Sequence, residues 1–282
     1  MANRVLISVD CVCDLPRKMW EDLELSVMYF YVKTEEGRFQ DIIEVNAENM
    51  VEYLAQGKKA HSSSASMEEY RGYFEKIRRN HDGPIIHICI ARYLSESFEA
   101  ASKAAGYLEN VYVVDSAQLS GGMSLLVLTA AEMAKAGADY ELILKEVEML
   151  REKVCTSFVV DSTAHLYING QISKRIATLC ETFSLHPILQ VRDSRMGASG
   201  ICIGNQKRYA KTYIKRMLKN PETIDTNVAF LVSVGCSYEY VNFLKEEVQK
   251  IIKFKKIIIN TASATITCNC GPGTFGILFA RK

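Results

Sequence analysis

Along the chain, short apolar runs of strand length end in polar turns and are followed by stretches with helical spacing. Residues 4–10 (RVLISVD) form the first run, and residues 25–33, rich in Val, Tyr and Phe, form the second. In the serine cluster at 62–66, Ser66 stands three residues before Glu69, the spacing of a capping box. There the hydroxyl accepts a hydrogen bond from an orphan amide while the carboxylate reaches back, which predicts a helix running through Arg79. Strands are expected over 84–90 and 111–114, and helices over 97–108, from Ser120 to near Gly137, and over 140–153. Strand, polar turn, helix, strand, repeated, is the pattern of parallel α/β units.

The second half is less regular. Strands are expected at 157–160, 187–192, 198–203, 228–234, 256–260 and 275–280, with helices at 172–182, 206–218 and 238–252. The hairpin-like stretch ILQVRDSRMGASGICIG (188–204) predicts a mixed sheet. The pattern thus predicts an α/β fold of two domains. The first, residues 1–158, has a mainly parallel sheet; the second, residues 159–282, has a mixed one.

Composition changes this picture mainly by exclusion. The 282 residues are 48% hydrophobic and 24% charged, ordinary values for a globular chain with a sizeable core. A formal charge of +1 gives no electrostatic reason to expect nucleic acid or an anionic membrane surface. The basic run at 250–256 (KIIKFKK) is interleaved with apolar residues and reads as a helix end leading into a strand. The opening MANRVLISVD lacks a signal-peptide core, and no apolar stretch reaches the ~18 residues of a membrane span, so a cytoplasmic protein without membrane insertion is expected. Nine scattered cysteines then read as small buried apolar side chains.

The candidate chemistry lies in the turns after the proposed parallel strands: Asp10-Cys11, Ser62-Ser63-Ser64, Leu94-Ser95-Glu96-Ser97 and Asp115-Ser116. Ligands of open α/β sheets bind at strand carboxyl ends, where hydroxyls and helix amides favour a negative group. A carboxylate or phosphate would fit there without any lysine, although each serine also suits a helix cap. No dinucleotide-binding G-x-G-x-x-G follows the first strand, and P-loop, zinc-protease and nucleophile-elbow motifs are absent. The five histidines do not pair at metal spacing; His87 reads as a core residue in an apolar strand, and His61 beside the serines as the better functional candidate. Asp10 and Asp115 suit either acid–base work or tying down loops. Cys11-Val12-Cys13 and Cys268-Asn269-Cys270 lack the two-residue spacer of zinc knuckles, so neither a metal nor a cofactor is expected.

Taken in order, these segments resemble the DegV family of bacterial fatty-acid-binding proteins, essentially end to end. The family's opening T-D-S-x-x-D-L is similar to Val9-Asp10-Cys11-Val12-Cys13-Asp14-Leu15, and its T-S-Q-P-S turn to Ser62-Ser63-Ser64-Ala65-Ser66. Its L-S-G-T-Y-x-S-A resembles Leu94-Ser95-Glu96-Ser97-Phe98-Glu99-Ala100-Ala101, and a D-S with a glycine-containing helix start resembles Asp115-Ser116 and Ser120-Gly121-Gly122. G-R-I-S, K-P-I-L and H-x-G-P-G correspond to Gly170-Gln171-Ile172-Ser173, His186-Pro187-Ile188-Leu189 and Asn269-Cys270-Gly271-Pro272-Gly273.

The resemblance implies a long-chain fatty acid held in an apolar tunnel between two domains. Its carboxylate would be gripped at Ser62 and Ser95, with Ser63, Ser97, Asn269, Gly271 and Gly273 around it and Arg208 as a further match to a family arginine. It implies a carrier that performs no chemistry and presents the acid to a fatty acid kinase. Three departures bear on that role: Gln171 stands for arginine, Asn269 for histidine, and Glu96 for glycine. The rival readings are a divergent enzyme acting on a small anionic substrate in the same cleft, and a lipid-binding sensor without kinase coupling.

Overall fold

The computed structural model describes residues 4–170 and 172–282. The first strand, β1 (Leu6–Asp10), is followed by a single 3-10 turn (Cys11–Cys13), helix α1 (Arg17–Asp22) and strand β2 (Ser26–Met28), which pairs parallel with β1. The chain then leaves this sheet. Strands β3 (Tyr31–Thr34) and β4 (Gly37–Gln40) form a hairpin, α2 (Ala47–Ala55) follows, and β5 (His61–Ser63) returns antiparallel to β3. The single strand expected over 25–33 is therefore two strands in different sheets. The break falls at Phe30, whose amide donates to the Cys11 sulfur and whose carbonyl accepts from the Asp41 amide, so its backbone is committed away from either ladder.

The capping box at Ser66 and Glu69 starts α3 (Met67–Arg78) as the spacing predicts. Then come β6 (Ile85–Cys89), α4 (Ser97–Ala105), β7 (Val111–Asp115), α5 (Ser120–Lys135) and α6 (Tyr140–Arg151). Strands β2-β1-β6-β7 make a four-stranded, wholly parallel sheet, the parallel sheet expected of the first half.

The remaining elements are β8 (Val154–Val159), α7 (Ala164–Ile168), α8 (Lys174–Thr182), β9 (Leu185–Arg192), β10 (Arg195–Ile203), α9 (Gln206–Met217), β11 (Ile224–Ser233), α10 (Tyr238–Gln249), β12 (Lys256–Thr261), α11 (Ala264–Cys270) and β13 (Phe275–Arg281). They build a six-stranded sheet in the order β10-β9-β8-β13-β11-β12, antiparallel except for β11 with β12, which is the mixed sheet expected of the second half. The β4-β3-β5 sheet and α11 were not expected from the pattern.

One core joins the two larger sheets. Helix α5 is apolar almost all round and lies buried between them, its Met123 and Leu126 in one cluster with Val9 of β1 and with Phe158, Phe230 and Leu278 of the mixed sheet. Gly121 and Gly122 permit this approach. A Cβ on Gly121 would sit 2.5 Å from the Phe230 Cβ, and one on Gly122 would sit 1.8 Å from the Thr156 hydroxyl. No helix among the described residues is long and apolar enough to cross a membrane.

Candidate functional site

A cavity of about 650 Å³ opens where the carboxyl end of the parallel sheet, the β5 turn and α11 meet. That volume is in the range of ordinary small-molecule sites. Its polar wall comes from Ser62 and Ser63 of β5 and Ser64 just after it, from Ser95 and Glu96 after β6, and from Asn269 on α11. The apolar wall is made by Ile90, Leu94, Leu119, Phe158, Met196 and Ile266. A second chamber of about 30 Å³ lies beyond, sharing Leu119, Phe158, Ile266 and Cys270 with the first and closed by Val232, Val234 and Leu278.

Helix α11 carries the far wall of the site, and buried carboxylates set its start. Asp41 accepts from the amides of Ala264 and Thr265 at 3.0 and 2.9 Å, and Asp14 accepts from the Ser263 amide at 2.8 Å. The Ser263 hydroxyl caps the Ile266 amide. On the cavity side, the Asn269 amide group donates to the Ser62 hydroxyl at 2.9 Å and to the Thr265 carbonyl at 2.8 Å. Beside it, Asn169 donates to the Cys268 carbonyl and bonds His61 at 2.9 Å, tying the end of α7 to β5 and α11. His61 thus braces the rim; it does not line the cavity.

The turn after β6 is held from below by Asp10. This fully buried carboxylate accepts from the Ile90 amide at 3.0 Å, from Tyr70 and Ser97 hydroxyls at 2.5 Å each, and from His87 at 3.2 Å. The other nitrogen of His87 bonds Ser8 at 2.8 Å, so His87 is a hydrogen-bonded core residue, as its apolar strand implies. Asp10, His87 and Cys89 present donor atoms within 4.8 Å of one another, but the Asp10 oxygens are already occupied by these donors.

Among the expected site residues, Ser62, Ser63, Ser95 and Asn269 come together on the cavity wall. Ser97 does not: its hydroxyl is turned into the core and committed to Asp10, while its amide donates to the Ser95 hydroxyl at 3.2 Å. Gly271 and Gly273 do not line the cavity either. Both have positive φ, and a Cβ on them would strike His165 at 2.2 Å and Asp161 at 2.7 Å, so their backbone approaches the β8–α7 segment instead of the cleft. Arg208 is exposed in the first turn of α9, away from the cavity lining. Gln171 lies outside the described residues. The cysteines that frame Asn269 are buried free thiols, and burial, reinforced by Asp14, pushes Cys270 up to about 12.

The cavity also takes in residues that sequence reasoning passed over: Phe30, Leu119, Phe158, Met196, and two cations from the β3–β4 hairpin, Lys33 and Arg38. Arg38 forms a two-pronged pair with Glu69 at 3.0 and 3.1 Å and lies 3.2 Å above the Tyr31 ring. Burial pushes the Glu69 carboxyl up, but Arg38 and the Ser66 amide outweigh it and hold the group at about 2.

The chain has relatives along its whole length. A DegV domain-containing protein of Deinococcus radiodurans is 27% identical over 278 residues, covering 97% of each chain. Among solved structures, a Thermus thermophilus DegV family protein described by its fatty acid binding superposes with a TM-score of 0.86 at 23% identity, over 99% of this chain and 100% of that one. A stearic acid-binding protein from Eubacterium ventriosum superposes at 0.85 with 20% identity, over 100% and 99%. The family model described as "Uncharacterised protein, DegV family" matches residues 4–282, and on that match the chain belongs to the DegV family.

Proposed function

We propose that the cavity holds one long-chain fatty acid, its carboxylate at Ser62 and Ser95, with Asn269 orienting the Ser62 hydroxyl, and its tail running past Leu119 and Phe158 toward the second chamber. The observation that carries this reading is a single cavity with hydroxyls and an amide on one wall and apolar side chains on the other. That is the polarity of an amphiphile. Burying a tail yields ~0.8 kcal/mol per CH₂, so a long chain outweighs the cost of partly dehydrating one head group. The carboxylate still needs donors, and rotatable serine hydroxyls supply them. The descriptions of the Thermus and Eubacterium proteins support the same ligand class.

In this reading the protein is a carrier that presents the acid to a fatty acid kinase and does no chemistry itself. Among the described residues, the cavity wall carries no histidine, and its one thiol, Cys270, is held protonated at neutral pH. The test is native mass spectrometry after gentle purification. Co-purified fatty acid, or its stoichiometric uptake, supports the reading; a protein that takes up none, but takes up a small anionic metabolite, overturns it in favour of an enzyme. Adding a fatty acid kinase and ATP then separates carrier from sensor: acyl phosphate marks a carrier, and its absence marks binding without hand-off.

A further inference from the structure

We propose that Lys33 supplies the positive charge that holds the ligand's carboxylate as an ion at the cavity mouth, an inference that rests on the fatty-acid reading above. The polar groups at Ser62, Ser63, Ser95 and Asn269 are all neutral, and Glu96 adds a negative charge to the same wall. Neutral hydroxyls can satisfy the hydrogen bonds of an ionised carboxylate in such a half-enclosed site, and an opposite charge nearby favours the ion further. Among the described residues the cavity wall offers two cations, Lys33 and Arg38.

These two stand directly opposite each other in the β3–β4 pairing. Like charges in that position repel unless an anion lies near them. Arg38 already has its anion, Glu69, on a two-pronged contact. Lys33 has no ion-pair partner among the described residues, although it lines the cavity. Strand alternation fixes its side. Val32 is fully buried, so Tyr31 and Lys33 share the opposite face, together with Ser63, which pairs with Tyr31 in β5. Ser62 pairs with Val32 and lies on the other face, so Lys33 approaches the head group from the Ser63 side of the mouth. The ammonium group therefore stands on the face of a cavity serine, on a flexible stem that can follow the head group. The ligand class this selects is an anionic amphiphile over a neutral one of equal length.

The experiment titrates the wild type, Lys33→Gln and Lys33→Arg with stearate and with octadecanol, at low and high salt. Because Lys33 is exposed, the expected loss of stearate affinity in Lys33→Gln is about fivefold. Octadecanol affinity stays unchanged, Lys33→Arg recovers most of the loss, and the weakening of stearate binding by salt shrinks in Lys33→Gln. Stearate binding by Lys33→Gln at wild-type affinity and salt dependence overturns the proposal alone. An equal loss for octadecanol also overturns it, because the effect is then not one of charge. If the wild type binds neither lipid, the fatty-acid reading itself falls and takes this proposal with it.

Discussion

The Asn269 side chain donates to the Ser62 hydroxyl at 2.9 Å, joining α11 to β5 across 207 positions of sequence. Because Ser62 accepts this bond, its own proton is left to donate, either to the Cys268 sulfur or to a ligand in the cavity. Asn269 thus acts partly through Ser62, setting the direction of a donor. Replacing Ser62 by Ala removes one hydrogen bond to a charged head group, worth ~1.5 kcal/mol. Stearate affinity should fall about tenfold with the melting temperature little changed, as read by calorimetric titration. Unchanged affinity would show that the hydroxyl does not meet the carboxylate.

Asn269 cannot titrate, so its contribution should be flat across neutral pH. A histidine there gains charge as pH falls through ~6.5 while the bound carboxylate stays ionised. Asn269→His is therefore expected to bind stearate more tightly at pH ~6 than at ~8, with wild type showing no such rise. Parallel pH profiles for the two proteins would sink the assignment of position 269 to the head-group wall.

Asp10 is a support for the site, not a part of it. Its oxygens gather the Ile90 amide and the Tyr70 and Ser97 hydroxyls, and Ser97 in turn fixes the Ser95 hydroxyl. Asp10→Ala leaves several buried donors unmatched, each costing ~1–3 kcal/mol, so urea unfolding should show a loss of several kcal/mol. Tyr70→Phe removes one donor and should lose only ~1–3 kcal/mol. Equal losses for the two variants would contradict a hub role for Asp10.

The regular alternation of apolar runs and polar turns made the two larger sheets legible: the buried parallel strands of the first carry their own hydrophobic signal, and the apolar runs of β8, β11 and β13 do the same for the mixed sheet. Serine turns at strand ends likewise pointed to Ser62, Ser63 and Ser95. Helix α11 was not legible. Its ATITCNC is rich in β-branched residues, and what starts it is Asp41, more than two hundred positions away, accepting the Ala264 and Thr265 amides. Ser97 was misplaced for a similar reason. A hydroxyl one turn from the cavity faces inward because Asp10 is buried beneath it, and local spacing carries no trace of that. Lys33 was passed over because its value depends on the commitment of its cross-strand neighbour Arg38 to Glu69.

Asp14 links pH to stability. Burial pushes its carboxyl up to about 7, against the Ser120 hydroxyl and Ser263 amide that pull it down. In the unfolded chain an aspartate titrates near ~3.9. Between those values the unfolded chain has released its proton and the folded chain has kept it, so raising the pH costs up to ~1.4 kcal/mol per pH unit. The penalty is absent below the lower value and complete above the upper one. Asn tolerates the left-handed backbone of position 14 (φ 51°) and removes the charge. The stability of Asp14→Asn relative to wild type should therefore rise from pH ~5 to ~8 in urea denaturation. A constant difference would show that Asp14 does not carry the buried proton.

Phe158 stands between the two chambers, shared by both walls with Leu119 and Ile266. The second chamber, at about 30 Å³, is too small for many methylenes as it stands. Phe158→Ala should join it to the main cavity and let the chain run further toward Val232 and Leu278. Each additional buried CH₂ is worth ~0.8 kcal/mol, roughly fourfold in affinity. Competition among myristate, palmitate, stearate and arachidate should thus shift toward the longer acids in the variant. Removing a buried aromatic also costs ~3–5 kcal/mol of stability, so the comparison is made between ligands on one folded variant, not between proteins. A ranking identical to wild type would mean that the tail does not pass Phe158 and leaves the cavity by another wall.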